Sequence, residues 1–223
     1  MGLTFHYKGQ LKLANHLPYL IHEVEDICKI LGWKSKVYEA EYPNHQFVTP
    51  VNDSNYGILI IPPSCEQVSL VFDSEGKICY PELKEIISKH PNDEIKVITI
   101  NLNLDAENPE PIISESTEGF DPSEILYNIS VKTNFSDNDS YIQLMELLRY
   151  LSSKYLDSFF LKDGSDYWDT KNPNNINEKT NKINFFMEHF NDMIQNESIK
   201  NPNEFLAHIK RLSQEIKKME EEE

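Results

Sequence analysis

Two kinds of hydrophobic spacing take turns along this chain: strict alternation, which lines one face of a strand, and recurrence at every third and fourth residue, which lines one side of a helix. Leu3-Thr-Phe-His-Tyr7 alternates and predicts a strand, with His6 the one histidine in a predicted core strand. Leu17, Leu20, Ile21, Val24, Ile27, Cys28 and Leu31 then form a single stripe and predict a helix over 15–31. Asn15 is its N-cap, Pro18 is tolerated in its first turn, and Gly32 closes it where the chain takes a left-handed turn that folds Trp33 back. Lys36 to Tyr42 predicts the next strand.

The same order returns later in the chain. Tyr127 to Thr133 predicts a strand, Ser136, Asp137 and Asp139 offer caps, and Tyr141, Leu144, Met145, Leu148, Leu151, Ser152 and Tyr155 line a broad helix flanked by Ile142 and Leu147. Phe159 to Leu161 predicts the strand that closes this unit. Between the two units, Tyr56 to Ile61 predicts a buried strand stopped by Pro62 and Pro63. Gln67 to Asp73 and Lys77 to Tyr80 predict a hairpin that turns at Ser74-Glu75-Gly76, with Gly76 at positive φ. Pro81 starts a short helix to Lys89, and Ile95 to Leu104 predicts a further strand.

This pattern predicts an α+β fold: a mostly antiparallel sheet of six to eight strands with two long helices on one face, plus a C-terminal helical hairpin. The α+β domain is expected over 1–172 and the hairpin over 173–223, with Asn172-Pro-Asn-Asn175 as the boundary. In the hairpin, Ile176, Ile183, Phe186, Met187, Phe190, Met193 and Ile194 form one stripe. A second helix opens at Asn201-Pro-Asn-Glu204, a capping box with proline at N1. Its apolar positions, Phe205, Ile209, Leu212, Ile216 and Met219, step by four and three as in the narrow seam of a coiled coil. They are the expected contacts of a homodimer, or of a hairpin folded back on its own domain.

Charge changes the picture more than composition does. With 37 acidic against 21 basic residues the net charge is −16, which argues against direct binding to nucleic acid or anionic membranes and suits a basic protein partner. Between Val97 and Val131 there is no Lys or Arg, while Asp105, Glu107, Glu110, Glu115, Glu118, Asp121 and Glu124 gather among prolines. That stretch is expected to be a long acidic loop, either a docking surface or a solvated excursion. The turn Asp163-Gly-Ser-Asp-Tyr-Trp-Asp169 lacks the alternation and closing Glu of a calcium loop, so no metal is expected there. Its Asp163, Asp166, Tyr167, Trp168 and Asp169 join Asp105, Glu107, Glu110, Glu115 and Glu118 as candidate partner-binding residues.

Catalytic grammar is sparse. His22-Glu23 would open a zinc-protease motif, but Asp26 stands where the second histidine belongs. Seven glycines form no phosphate-binding loop, and there is neither a nucleophile elbow nor a Cys-x-x-Cys pair. No cofactor is expected. Cys28, Cys65 and Cys79 are odd in number and unpatterned in spacing, which predicts reduced thiols. No run is long and apolar enough for a membrane span and the first residues do not form a secretory signal, so a cytoplasmic location is expected. A Cys65 exposed beside Glu66 and approached by His6 is the strongest nucleophile hypothesis.

Three phrases also look familiar: Leu3-Thr-Phe-His-Tyr-Lys-Gly9, Pro62-Pro-Ser-Cys-Glu-Gln-Val-Ser-Leu70, and Asn128-Ile-Ser-Val-Lys-Thr133 with Tyr167-Trp-Asp-Thr170. Over roughly residues 1–172 the chain resembles a family of small bacterial cytosolic proteins with no assigned activity. That resemblance implies a compact cytosolic domain and supplies no catalytic residues; Ser64 stands where a glycine would be expected. Taken together, these features lead to the expectation of a non-enzymatic intracellular protein-binding module, an acidic inhibitor, immunity or regulatory protein that masks a partner. The alternative is a small-molecule sensor or enzyme with a pocket between sheet and helices.

Overall fold

The computed structural model describes residues 3–49, 54–89, 97–101, 112–116, 125–133 and 138–181, together with 184 and 211. The fold is α+β with antiparallel sheets. Gly2–Asp93 and Asp121–Asn177 form the larger of two compact units, and Glu94–Phe120 with Glu178–Glu223 the smaller.

The larger unit holds two three-stranded sheets. In one, β1 (Thr4–Leu11) lies between β7 (Ile129–Lys132) and β8 (Leu156–Asp163), antiparallel to both. In the other, β3 (Tyr56–Ile61) lies between β2 (Lys34–Val37) and β4 (Val68–Phe72). The segment 76–79 joins them. Leu11 N–H donates to Gly76 O (2.8 Å) and Ile78 N–H to Gly9 O (2.9 Å) on one side, while Cys79 N–H donates to Val71 O (2.9 Å) on the other. The expected hairpin therefore supplies the seam between the sheets, with Gly76 at φ 85°.

Two amphipathic helices carry the apolar stripes. Helix α1 (Leu17–Leu31) buries Leu17, Leu20, Ile21, Val24 and Cys28, and ends at Gly32 (φ 69°), where Trp33 N–H reaches back to Cys28 O (2.8 Å). Helix α2 (Pro81–Lys89) is shorter. Helix α3 (Asn138–Tyr155) buries Tyr141, Leu144, Met145, Leu147, Leu148, Leu151 and Tyr155. Glu23 of α1 accepts from Tyr150 Oη (3.0 Å) and from the Lys154 ammonium, so α1 and α3 lie side by side. Lys12 Nζ donates to Ser153 O (2.6 Å), placing a cation where the last carbonyls of α3 need donors.

Phe5, Tyr7, Leu11, Ile129, Val131 and Leu161 point inward and are buried. Beyond the seam both faces of the sheet are covered, since Leu59, Val71 and Cys79 pack with Tyr38, Leu126 and Tyr127. Asp73 organises the turn at one end of the seam. Its carboxylate accepts from Glu75 N–H and Lys77 N–H (both 2.9 Å) and from Tyr127 Oη (2.9 Å), and its carbonyl accepts from Tyr42 Oη (2.6 Å).

Several expectations are corrected. Strand β2 begins at Lys34, directly after the helix cap, and Tyr42 turns inside to stack on Tyr56 with ring centroids 4.2 Å apart, so the expected strand over 36–42 stops early. His6 lies in β1, as expected, and is exposed, because Phe5 and Tyr7 take the inward positions of that strand. The acidic stretch is not one unbroken loop. In the smaller unit β5 (Val97–Asn101) pairs antiparallel with β6 (Ile112–Ser116), where β-branched Ile112 and Ile113 favour pairing over the loop that the surrounding acids suggested. At the expected boundary Asn172-Pro173 opens a helix: Asn172 Oδ1 accepts from Asn174 N–H (3.1 Å), residues 173–181 are helical, and Ile176 is buried.

Candidate functional site

The turn after β8 was expected to face a partner, and the structure divides its residues into two groups. Asp163 is the last residue of β8 and lies opposite Phe5 on the inward face, where it is only 4% exposed. Its carboxylate accepts from Ser165 N–H (2.5 Å), Ser165 Oγ (2.6 Å) and Trp168 N–H (2.5 Å). It thereby satisfies a first-turn amide of the short helix α4 (Tyr167–Thr170). Tyr167 is buried, and its hydroxyl donates to Glu146 Oε1 (3.3 Å). Asp163 and Tyr167 are thus internal supports of the turn and do not belong to an exposed surface.

Asp166 and Asp169 are exposed and Trp168 is half-buried. The indole sits between Phe159 (centroids 5.9 Å) and the Arg149 guanidinium (4.4 Å from the ring centroid), and Arg149 Nη2 donates to Trp168 O (2.7 Å). Arg149 Nε lies 3.4 Å from Glu146. The turn is a clamped platform that presents two carboxylates and one edge of an indole.

Asp163 is the centre of that clamp. Asp163→Ala is expected to destabilise the protein by roughly 3 kcal/mol, since it strands three donors inside the structure. Asp163→Asn should recover part of this, because its amide oxygen can still accept both Ser165 bonds while its NH2 group turns a donor toward Trp168 N–H. Urea unfolding followed by tryptophan fluorescence measures both losses, and a loss under about 1 kcal/mol would refute the clamp.

Cys65 does not meet the requirements of a nucleophile. It is half-buried and bridges to Thr133, and burial first, then Glu66, pushes its thiol up to about 12. Burial and Glu25 likewise push the Cys28 thiol up to about 11. Both stay protonated near neutrality, whereas a reactive cysteine needs its thiolate. Cys65 lies close enough to Tyr7 and Tyr141 to raise both hydroxyls, so its thiol is on the inner side, while His6 points outward. Glu66 is occupied in accepting Lys132 N–H (2.8 Å). Cys65, His6 and Glu66 do not converge.

Asp105, Glu107, Glu110 and Glu118 lie outside the described residues, as do Phe205, Ile209, Leu212, Ile216 and Met219. Glu115 is in β6, opposite Ile98. Among the described residues no cluster of three or more His, Cys, Asp or Glu could hold a metal, and no helix is long and apolar enough to cross a membrane.

One surface was missed in the sequence. The outer face of β7-β1-β8 presents, row by row, Thr4 beside Lys132, His6 between Ser130 and Lys162, and Lys8 beside Phe160. The signal was present as every second residue of three strands, but only the pairing register brings those residues onto one surface. Tyr80 closes the outer edge of β7: its hydroxyl accepts from Ser130 N–H (2.7 Å) and donates to Ser130 O.

Compared with known protein families, curated proteins and solved structures, the chain matches none. The likeness of its three phrases therefore rests on those residues alone.

Proposed function

We propose that this chain is a non-enzymatic protein-binding module that works inside the cell as an inhibitor, immunity or regulatory component, masking a partner with its acidic surface. The observation that carries this reading is the clamped turn, in which Asp163 and Arg149 hold Asp166, Asp169 and the Trp168 edge at the surface. A rigid aromatic flanked by charges contributes to binding because little side-chain freedom is lost on contact. The field of a chain with net charge −16 steers a basic partner toward it. Burial of Cys28 and Cys65 as protonated thiols also favours binding over nucleophilic chemistry.

The test is capture of the partner from the native host with the parent chain and with Asp166→Asn/Asp169→Asn, followed by affinity measurement on the recovered protein. The double variant is expected to bind about tenfold more weakly, with a shallower salt dependence. Equal binding by both chains, or recovery of nothing but the chain itself at every salt concentration, would overturn the reading.

A further inference from the structure

We infer that the outer face of β7-β1-β8 is a second interaction surface, opposite in sign to the clamped turn, which holds an extended acidic segment of another protein. The face is cationic on a strongly acidic chain. Lys132, Lys162 and Lys8 stand in three successive outward rows, with His6 among them; the strand pairing sets no carboxylate opposite any of the four, and the Glu66 carboxylate beside Lys132 at the edge of β7 is taken up by the Lys132 amide. Lys29, Lys77, Lys89 and Lys154 each pair with a carboxylate, whereas Lys8, Lys132 and Lys162 make no ion pair with any described residue. Phe160, 55% exposed, stands beside Lys8 and supplies the apolar contact.

The spacing of the cations selects the occupant. Outward residues of one strand recur every second position, about 7 Å apart, and an extended peptide repeats its own side chains on one face at the same interval. Acidic residues at every second position of such a segment would therefore meet Lys132, then Lys162 with His6, then Lys8. In the next row, past a register shift, Gln10 lies between Asp157 and Lys77, and Lys77 is already paired with Glu75, so the run of unpaired cations ends there. A single-stranded nucleic acid would also offer repeated negative charge, but it carries that charge on every unit against the field of the whole chain. It would also find one exposed aromatic ring here, where binding without sequence preference uses several as stacking platforms. The peptide is the occupant that charge and spacing favour.

Fluorescence anisotropy with a labelled ten-residue peptide of alternating Glu and Thr tests the assignment on the full chain. Binding is expected at low salt, to weaken as salt rises, and to fall by about tenfold or more in Lys8→Glu/Lys162→Glu. Lys36→Glu on β2 and the Asp166→Asn/Asp169→Asn variant should bind the peptide like the parent, so this surface and the acidic one fail separately. Lys8→Gln/Lys162→Gln repeats the measurement should the charge reversal disturb folding. The assignment is overturned if both lysine variants bind like the parent, or if an alternating Gln and Thr peptide binds as well. It is also overturned if an oligothymidylate binds more tightly and loses affinity with the same substitutions. A parent that dimerises and becomes monomeric on losing Lys8 and Lys162 would make the occupant a second copy and refute the proposal.

Discussion

Gly57→Ala is expected to destabilise the protein by roughly 4 kcal/mol, combining a strained backbone with an overpacked strand pair. Gly57 sits in β3 at φ 122°, a conformation that residues with a Cβ avoid. A Cβ built there would lie 2.2 Å from the carbonyl oxygen of Leu70, a backbone atom of the neighbouring strand β4. No flexible side-chain end can swing away from that contact. Relief requires β3 and β4 to part where Ile58 pairs with Leu70 and Gly57 with Val71, and Ile58, Leu70 and Val71 are all fully buried. Gly32→Ala provides the comparison. Gly32 also has positive φ, but nothing lies within 4 Å of its added Cβ, so only the left-handed strain of roughly 1 kcal/mol should appear. Urea midpoints of the two variants separate the effects, and equal losses would show that the close approach of β4 carries no cost.

Gly57 also shows what the sequence made legible and what it did not. A glycine inside an apolar run signals a close approach of backbone, but only the sheet order identifies Leu70 as the group approached. The helix stripes were legible for a physical reason: period is local, so α1 ends at Gly32 where its sequence said it would, although it opens at Leu17 after a 3-10 turn over Ala14–His16 and Asn15 is not its N-cap. Strands are less local. Alternation puts His6 on the opposite side of β1 from Phe5 and Tyr7, but what stands beside it there depends on the pairing with β7 and β8. Asp163 was read as a surface acid because carboxylates are usually solvated, and its burial depends on three donors that meet only after Trp168 folds back over β8. The cationic sheet face was hardest to see. Lys8, Lys132 and Lys162 are far apart in the chain, and the overall charge of −16 points away from any basic surface.

Raising the pH above about 10 is expected to unfold the protein steeply, because buried tyrosines, Tyr7, Tyr42 and Tyr141 above all, keep their protons only while the fold is intact. Burial first, and Tyr80 next, push the Tyr7 hydroxyl well above the usual tyrosine range, and it donates to Ser69 O (2.8 Å). Burial followed by Asp73 raises Tyr42, and burial followed by Asp163 raises Tyr141. The direction of the effect follows from the folded values being higher than the unfolded ones. Below the unfolded value near 10 these groups are protonated in both states and stability does not depend on their titration. Above it the unfolded chain releases at least these three protons that the folded chain retains, and burial also raises Tyr80, Tyr155 and Tyr167, so stability falls by at least roughly 4 kcal/mol per pH unit until the folded hydroxyls ionise. Cys28 and Cys65, pushed up to about 11 and about 12, begin the decline nearer the ordinary thiol value of roughly 8.5. Urea midpoints measured across this range, with tyrosinate absorbance recorded on the same samples, test the account. Tyr7→Phe should remove roughly 1.4 kcal/mol per pH unit of the tyrosine-dependent slope, after correction for the hydrogen bond to Ser69 that it also removes. If all 11 tyrosines of the chain titrate smoothly near 10 with the secondary structure intact, then Tyr7, Tyr42 and Tyr141 are not held as this packing requires.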